Sequence, residues 1–257
     1  MQTDEVLDLL RDVADEVVRP RFRKLATDEI AEKNPGDFVT IADRESEDRI
    51  EAALRAAYPQ AVIVGEEATA ADPGLLTGLA HAEHAFVIDP IDGTKNFVNG
   101  KDDYAVMVGE VQRGETVRGW IWQPEHQVAY VAEKGAGARR NGEPLHVGTR
   151  DRQTISGATS HRRWIGQQPA GVAQPIGLTW LCCGVDYPKL IEGAVDFILY
   201  RGMKPWDHVP GTLLLTEAGG VARSFDGEDY RAVSHVPPLL AAADAEIWEL
   251  ARAGLHT

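Results

Sequence analysis

Five carboxylates stand where an apolar stretch gives out. Glu66 and Glu67 follow "AVIVG" (61–65), Asp89 and Asp92 fall in "FVIDPIDGTKNF" (86–97), and Asp207 lies in "PWDH" (205–208). Ligands of open α/β sheets collect outside strand ends, so these acids are candidates for convergence at one site. Two carboxylates about 4 Å apart at an effective dielectric of about 20 repel by ~4 kcal/mol. Either their pKa values rise or a multivalent cation neutralises them. Oxygen-only donors select hard ions, with Mg2+ first and Mn2+ or Ca2+ behind. Zinc fits poorly, because no histidine has a cysteine or histidine partner at zinc spacing. The nearest pair, His81 and His84 in "AHAEHA", has no further ligand nearby.

The turn "DPIDGT" adds a second element. Pro90 fixes the backbone after Asp89, so the Ile91 carbonyl and the Asp92 side chain can face one ion. Gly93 allows backbone amides close to a ligand. A helix starting at Thr94 or Lys95 would point free N–H groups at whatever the metal holds, and such an end seats phosphate. Metal ions beside an amide cradle describe a phosphate-ester hydrolase. Each segment alone has a plainer reading. D-P-x-D-G is a common turn, paired glutamates are common on surfaces, and Asp43 and Asp207 both read as helix caps. Their occurrence together, in this order, points to a site.

The elements that must position these residues alternate strands with helices. Val6, Leu9, Leu10, Val13, Val17 and Val18 recur at helical spacing up to Pro20. "EKNPGDF" reads as a loop, "FVTIA" as a short extended piece, and about 43–57 as a helix. "AVIVG" and "AFVID" are buried strands separated by a loop at Pro73-Gly74. Residues 104–134 form an antiparallel meander, and "GAGARRNGE" is a turn region. Beyond it come "TISGATS", "IGLTW", a helix near 186–193, "VDFILY", a helix near 208–218 stopped by Gly219-Gly220, "VARSF", and a helix from about Asp244. The expectation is one α/β (α+β) domain over 1–257, made of two packed halves, about 1–150 and 151–257.

Composition sets the bounds. With 257 residues, 44% hydrophobic and 26% charged, the chain has the makeup of a water-soluble globular protein with one substantial core. A net charge of −14 opposes nucleic acid and anionic membranes as partners, but a small phosphorylated metabolite remains open once cations are recruited. Cys182 and Cys183 are adjacent and supply no disulfide framework. The N-terminus lacks the basic region of a signal peptide. The expected location is cytoplasmic.

Three segments together resemble the inositol monophosphatase family: Gly65-Glu66-Glu67, then Asp89-Pro90-Ile91-Asp92-Gly93-Thr94-Lys95-Asn96-Phe97, then Trp206-Asp207 through Glu217-Ala218-Gly219-Gly220. Upstream, "KNPGDFVTIAD" is similar to the family's loop carrying a lysine (Lys33) and an aspartate (Asp43). The resemblance implies a layered αβαβα sandwich of the inositol monophosphatase/fructose-1,6-bisphosphatase type. It implies a homodimer that hydrolyses phosphomonoesters with two to three Mg2+ ions, Mn2+ being able to substitute, and that is often sensitive to Li+. Carried over by position, Glu66, Asp89 and the Ile91 carbonyl hold the first ion, and Asp89, Asp92 and Asp207 the second. Glu66 faces a third through water. Asp43 and Thr94 orient and deprotonate the attacking water without a covalent intermediate. The amides of Gly93, Thr94 and Lys95 seat the phosphate.

Substrate choice departs from the family pattern. Inositol-directed members carry a glutamate seven residues before the W-D aspartate, and here that position is Tyr200, offering an aromatic face. Tyr200, Cys183, Lys33 and Asp92 are the residues expected at the substrate; Arg201 and Lys204 read either as contacts for a second anionic group or as surface charge, and His208 is assigned to solvent. Histidinol phosphate or 3′-phosphoadenosine 5′-phosphate then stand beside inositol 1-phosphate as substrates. A regulatory binding protein with incidental activity is the reading from another class. Asp92→Asn is expected to abolish Mg2+-dependent phosphate release while far-UV circular dichroism stays native; turnover at the wild-type rate would remove the metal assignment.

Overall fold

The computed structural model describes residues 1–233 and 238–255. In chain order the elements are α1 (Thr3–Val13), β1 (Ile30–Asn34), β2 (Asp37–Thr40), α2 (Ile41–Ala57), β3 (Val62–Gly65), α3 (Glu66–Ala71), α4 (Leu75–His81), β4 (His84–Asp92), α5 (Thr94–Val98), β5 (Ala105–Gln112), β6 (Glu115–Gln123), β7 (Val128–Glu133), β8 (Gly137–Arg140) and β9 (Glu143–Leu145). The second half adds β10 (Gly157–Thr159), β11 (Gly177–Leu178), α6 (Cys183–Glu192), β12 (Phe197–Tyr200), α7 (Pro205–Glu217), β13 (Val221–Ser224), β14 (Leu239–Ala242) and α8 (Ala245–Leu255). After α1 the chain makes one turn of π-helix, Ala14–Val18, so the helical face read from Val17 and Val18 is kept in a wider coil.

Strands β3 to β9 form one sheet in sequence order, parallel between β3 and β4 and antiparallel thereafter. The second sheet has the order β11-β10-β12-β14-β13, and β10, β11 and β12 run parallel. Helices α1 and α2 cover one face of the larger sheet, α6 and α7 lie between the sheets, and α8 packs on β12 and β14. The layering is therefore αβαβα.

Period-two alternation sorts the core. Phe86 and Ile88 of β4, with Val106 and Val108 of β5, pack under α1 and α2. Val87 turns the other way, toward Val209 of α7, and Met107 toward α6 and the second sheet. Two glycines let α7 lie directly on the sheet. Gly109 and Gly119 face each other across β5 and β6. A Cβ at Gly109 would come within 2.4 Å of Val209 Cγ1, and one at Gly119 within 3.0 Å of the Pro210 Cα.

Some local expectations give way. "EKNPGDF" is a hairpin, β1–β2, whose turn uses Gly36 at φ +81. "GAGARRNGE" contains β8 and β9, short strands without an alternating apolar pattern. The Pro73-Gly74 loop is flanked by the short helices α3 and α4, and β14 is a four-residue apolar run too short to assign from periodicity. Because the Pro210 backbone cannot swing aside, Gly119→Ala is expected to cost about 1–3 kcal/mol. A fall in the urea midpoint at unchanged m-value checks it; an unchanged midpoint would mean that α7 is not seated on β6.

Candidate active site

The spacing of the two central aspartates follows from a β-bulge. Asp89 pairs with Met107 and Asp92 with Ala105, so three steps on β4 match two on β5. In a regular strand, residues three apart point to opposite faces. The extra residue inverts the parity: Ile91 turns its side chain into the core beneath α1 and α2, while Asp89 and Asp92 both turn toward α6 and α7. Pro90 fits here because a bulge leaves a residue out of the hydrogen-bond ladder.

Asp89 is 2% exposed and Asp92 8%. Asp92 Oδ2 accepts from the Gly184 amide at 2.5 Å and the Cys182 thiol at 3.1 Å. Asp89 Oδ1 is buried with no hydrogen-bond partner among the described residues. Burial first, then the charges of Glu66, Asp92, Asp207 and Asp43, push the Asp89 carboxyl well up. Burial likewise raises Asp207, which touches Asp89 at the start of α7, and pushes Asp92 up to about 6 against the lowering effect of the Gly184 amide. A buried carboxylate oxygen without a donor is costly. An oxygen-only donor set of Asp89, Asp92, Asp207 and Glu66 fits a hard divalent cation.

The N-cap of α2 is Thr40 rather than Asp43, which is the third residue of the helix and faces the site as well. Its Oδ2 accepts from the Thr40 amide at 2.7 Å and the Thr40 hydroxyl at 2.6 Å, closing the capping box of α2. Its Oδ1 lies 3.2 Å from Thr94 Oγ1, which is also 2.9 Å from the Ile91 carbonyl. Burial pushes the Asp43 carboxyl up to about 7. Gly93, at φ +81, opens α5 and brings Thr94 and Lys95 into its first turn, whose amides have no intrahelical acceptor. A Cβ on Gly93 would sit 3.0 Å from Cys182 Cβ, so only glycine suits both the φ and the approach.

Lys33, on the β1–β2 hairpin, sits among acids: its Nζ is 2.8 Å from Glu66 Oε1 and 2.8 Å from Glu67 Oε1. Lys204 approaches Glu66 at 3.6 Å. The Gly65-Glu66-Glu67 turn rests on a residue that spacing did not single out. Glu47 of α2 accepts the Glu67 and Ala68 amides at 2.8 and 2.7 Å, satisfying the start of α3. Its carboxylate would lie 2.2 Å from any Cβ on Gly65. Cys182 and Gly184, which hold Asp92, carried no signal in the sequence beyond their nearness to Cys183. Asn96 was legible only as part of the motif; its amide binds the Asp103 and Trp180 carbonyls, each at 2.8 Å, and locks α5 to the loop before α6.

Two expectations need correction. Tyr200 does not present an aromatic face to a ligand: it is 3% exposed, stacked on Tyr187 at 5.3 Å and edge-on to His208 at 4.9 Å, because it is the last residue of a fully buried strand. His208 does not face solvent. It is buried, with Nδ1 2.9 Å from the Tyr187 hydroxyl and Nε2 3.0 Å from the Gly202 carbonyl, and burial lowers its pKa to about 4. Cys183 is half-buried, with its sulfur close to the Asp207 carboxylate. A separate cavity of about 400 Å³, lined by Thr216, Glu217 and Arg223, lies at the other end of α7 and holds none of these acids.

Comparison with known proteins identifies the family. The model of the inositol monophosphatase family matches residues 2–254. A protein of Aquifex aeolicus named fructose-1,6-bisphosphatase/inositol-1-monophosphatase is 32% identical over 221 residues, covering 80% of this chain and 79% of its own length. The Nus factor SuhB of Pseudomonas aeruginosa is 31% identical over 229 residues, covering 83% and 82%. Among solved structures, the IMPase of Thermotoga maritima aligns with a TM-score of 0.80 at 25% identity over 98% of this chain and 97% of that one. An inositol monophosphatase from Zymomonas mobilis gives 0.78 at 26% identity over 99% and 98%. The chain belongs to the inositol monophosphatase family of phosphatases.

Proposed function

We propose that the protein hydrolyses a small phosphomonoester to an alcohol and inorganic phosphate in a Mg2+-dependent reaction without a covalent enzyme intermediate. The observation that carries this reading is the buried, unpartnered Asp89 Oδ1, whose carboxyl is pushed up by burial first and then by the charges of Glu66, Asp92 and Asp207. Glu66, Asp89 and the Ile91 carbonyl would hold one ion, and Asp89, Asp92 and Asp207 a second. When bound, Mg2+ supplies charge neutralisation for the phosphoryl group and acidifies water. The chain's own residues supply the rest. The first-turn amides of α5, at Gly93, Thr94 and Lys95, seat the phosphate. A water aligned against the phosphorus passes its proton to Thr94 Oγ1 as the threonine proton passes to Asp43 Oδ1. Asp43 suits this role, since its other oxygen is fixed by Thr40 and a pKa near 7 lets it gain and lose a proton at neutral pH.

Inositol 1-phosphate is the first substrate to test, because the Aquifex relative and the Mesorhizobium japonicum inositol-1-monophosphatase are named for it. We further propose that the chain pairs as a homodimer, with the exposed Ile165 and Leu178 suiting an interface. No described helix is long and apolar enough to cross a membrane. The relatives named Nus factor support a second reading, a regulatory binding protein. Trace-level release from every phosphomonoester tried would favour it.

Asp43→Asn is expected to lower kcat for inositol 1-phosphate by about 10²–10⁴, the usual range for a lost general base. Phosphate release at saturating Mg2+ measures this, and an unchanged kcat would remove Asp43 from proton transfer. The carboxylates also predict a pH signature. An acid whose folded-state pKa is raised adds stability below its unfolded value and loses it as pH climbs through the folded value. For Asp92 that window runs from 3.8 to about 6. The metal-free protein should therefore melt lower at pH 8 than at pH 5, and Mg2+ should raise Tm more at pH 8, where no protons compete. A Mg2+ shift that is equal or larger at pH 5 would mean that the cluster is not the cation site.

A further inference from the structure

The first turn of α7 delivers Asp207, yet it opens without a capping side chain. Lys204, at the N-cap position, makes no side-chain bond to the helix, and Pro205 after it has no N–H. The residue after Asp207 holds the turn instead. His208 is buried, and both of its ring nitrogens are bonded. Nε2 lies 3.0 Å from the Gly202 carbonyl, in the loop that leads into α7. A carbonyl only accepts, so Nε2 carries the proton, and Nδ1 accepts from the Tyr187 hydroxyl at 2.9 Å. One bond ties the turn to the loop before it, and the other ties it to α6.

Packing places Tyr187 for this contact. It is fully buried, and its ring lies so close to Gly211 of α7 that a Cβ at that glycine would overlap it. Along α6, Tyr187 stands three residues beyond Gly184, less than one turn away. The Gly184 amide is the donor that holds Asp92 Oδ2. One helix therefore holds Asp92 directly and, through Tyr187 and His208, the turn that carries Asp207. Three aromatic rings wall in the imidazole, each edge-on to it: Tyr187 at 6.1 Å, Tyr200 at 4.9 Å and Tyr230 at 6.0 Å.

We propose that His208 and Tyr187 are positioning residues, which fix Asp207 relative to Asp92 so that both carboxylates meet the same divalent cation. This rests on the cation-site reading above and deepens it. Asp89 and Asp92 share a strand, and the bulge sets their spacing. Asp207 arrives on a different element and needs a register of its own. A ligand held in place before the ion arrives costs less ordering on binding. Loss of the two bonds is therefore felt in affinity for the cation more than in the chemical step.

The test is the Mg2+ dissociation constant of the metal-free protein, fitted from the rise in Tm with added Mg2+. Asp207→Asn supplies the reference, with the ligand itself lost. Tyr187→Phe keeps the ring against Gly211 and removes only the hydroxyl. It is expected to raise the constant about tenfold, as loss of one buried hydrogen bond allows. The Mg2+ requirement for phosphate release should rise in parallel, while kcat at saturating Mg2+ changes much less. His208→Phe should shift the constant at least as far, and the double variant no further than His208→Phe alone, because the hydroxyl acts through the ring. A merely structural role would lower the Tm of the metal-free protein and leave the constant unchanged. That result in Tyr187→Phe overturns the proposal, as does a double variant in which the two effects add in full. Should Asp207→Asn bind Mg2+ as the wild type does, the cation-site reading falls and this proposal with it.

Discussion

Mutual repulsion among Asp89, Asp92, Asp207 and Glu66 is the constraint around which the fold is arranged. At an effective dielectric near 20, like charges about 4 Å apart repel by ~4 kcal/mol, and the four acids here are brought together from three elements. Asp89 and Asp92 come from one strand by way of a bulge, Asp207 from the first turn of α7, and Glu66 from the first turn of α3. Holding them together requires each of those elements to be fixed independently of the site. A cation that satisfies the acids then meets a frame already in place, which lowers the cost of ordering ligands on binding.

The fixing devices are small residues and buried polar contacts. Gly109 and Gly119 let α7 rest on the larger sheet, which sets where Asp207 enters. Gly65 leaves room for the Glu47 carboxylate, which holds the start of α3 through two amides. Thr40 fixes one oxygen of Asp43 and leaves the other for Thr94. The Gly184 amide and Cys182 thiol hold one oxygen of Asp92, while Asn96 ties α5 to the same loop. Each supporting contact spares one ligand atom for other use.

The two halves contribute differently. The larger sheet carries the bulge, and α5, opened by Gly93, follows it directly. The second sheet carries three parallel strands, β10, β11 and β12, and the loop after β11 reaches Asp92 through Cys182. The candidate site is thereby built from both sheets: β4 carries Asp89 and Asp92, and α7, which follows β12, brings in Asp207. Loops at strand ends tolerate change more readily than the strands do.

Much of the site was legible because its residues are adjacent in sequence. "DPIDGT" puts a carbonyl, two carboxylates and a helix start within six residues, so local geometry alone relates them. The strands and longer helices were legible from periodicity, since one face of each is buried. Distant partnerships were not. Nothing in the spacing of Glu47, Gly109 or Gly119 marks them, because their roles depend on which elements the sheets bring into contact. Tyr200 and His208 were misplaced for the same reason. Both lie beside candidate ligands in sequence, yet β12 and α7 carry them inward to pack on Tyr187. The sequence by itself determined the donor chemistry, the turn that presents it and the family. Only the tertiary structure decided which neighbours face the site, because burial and approach depend on the packing of distant segments rather than on order along the chain.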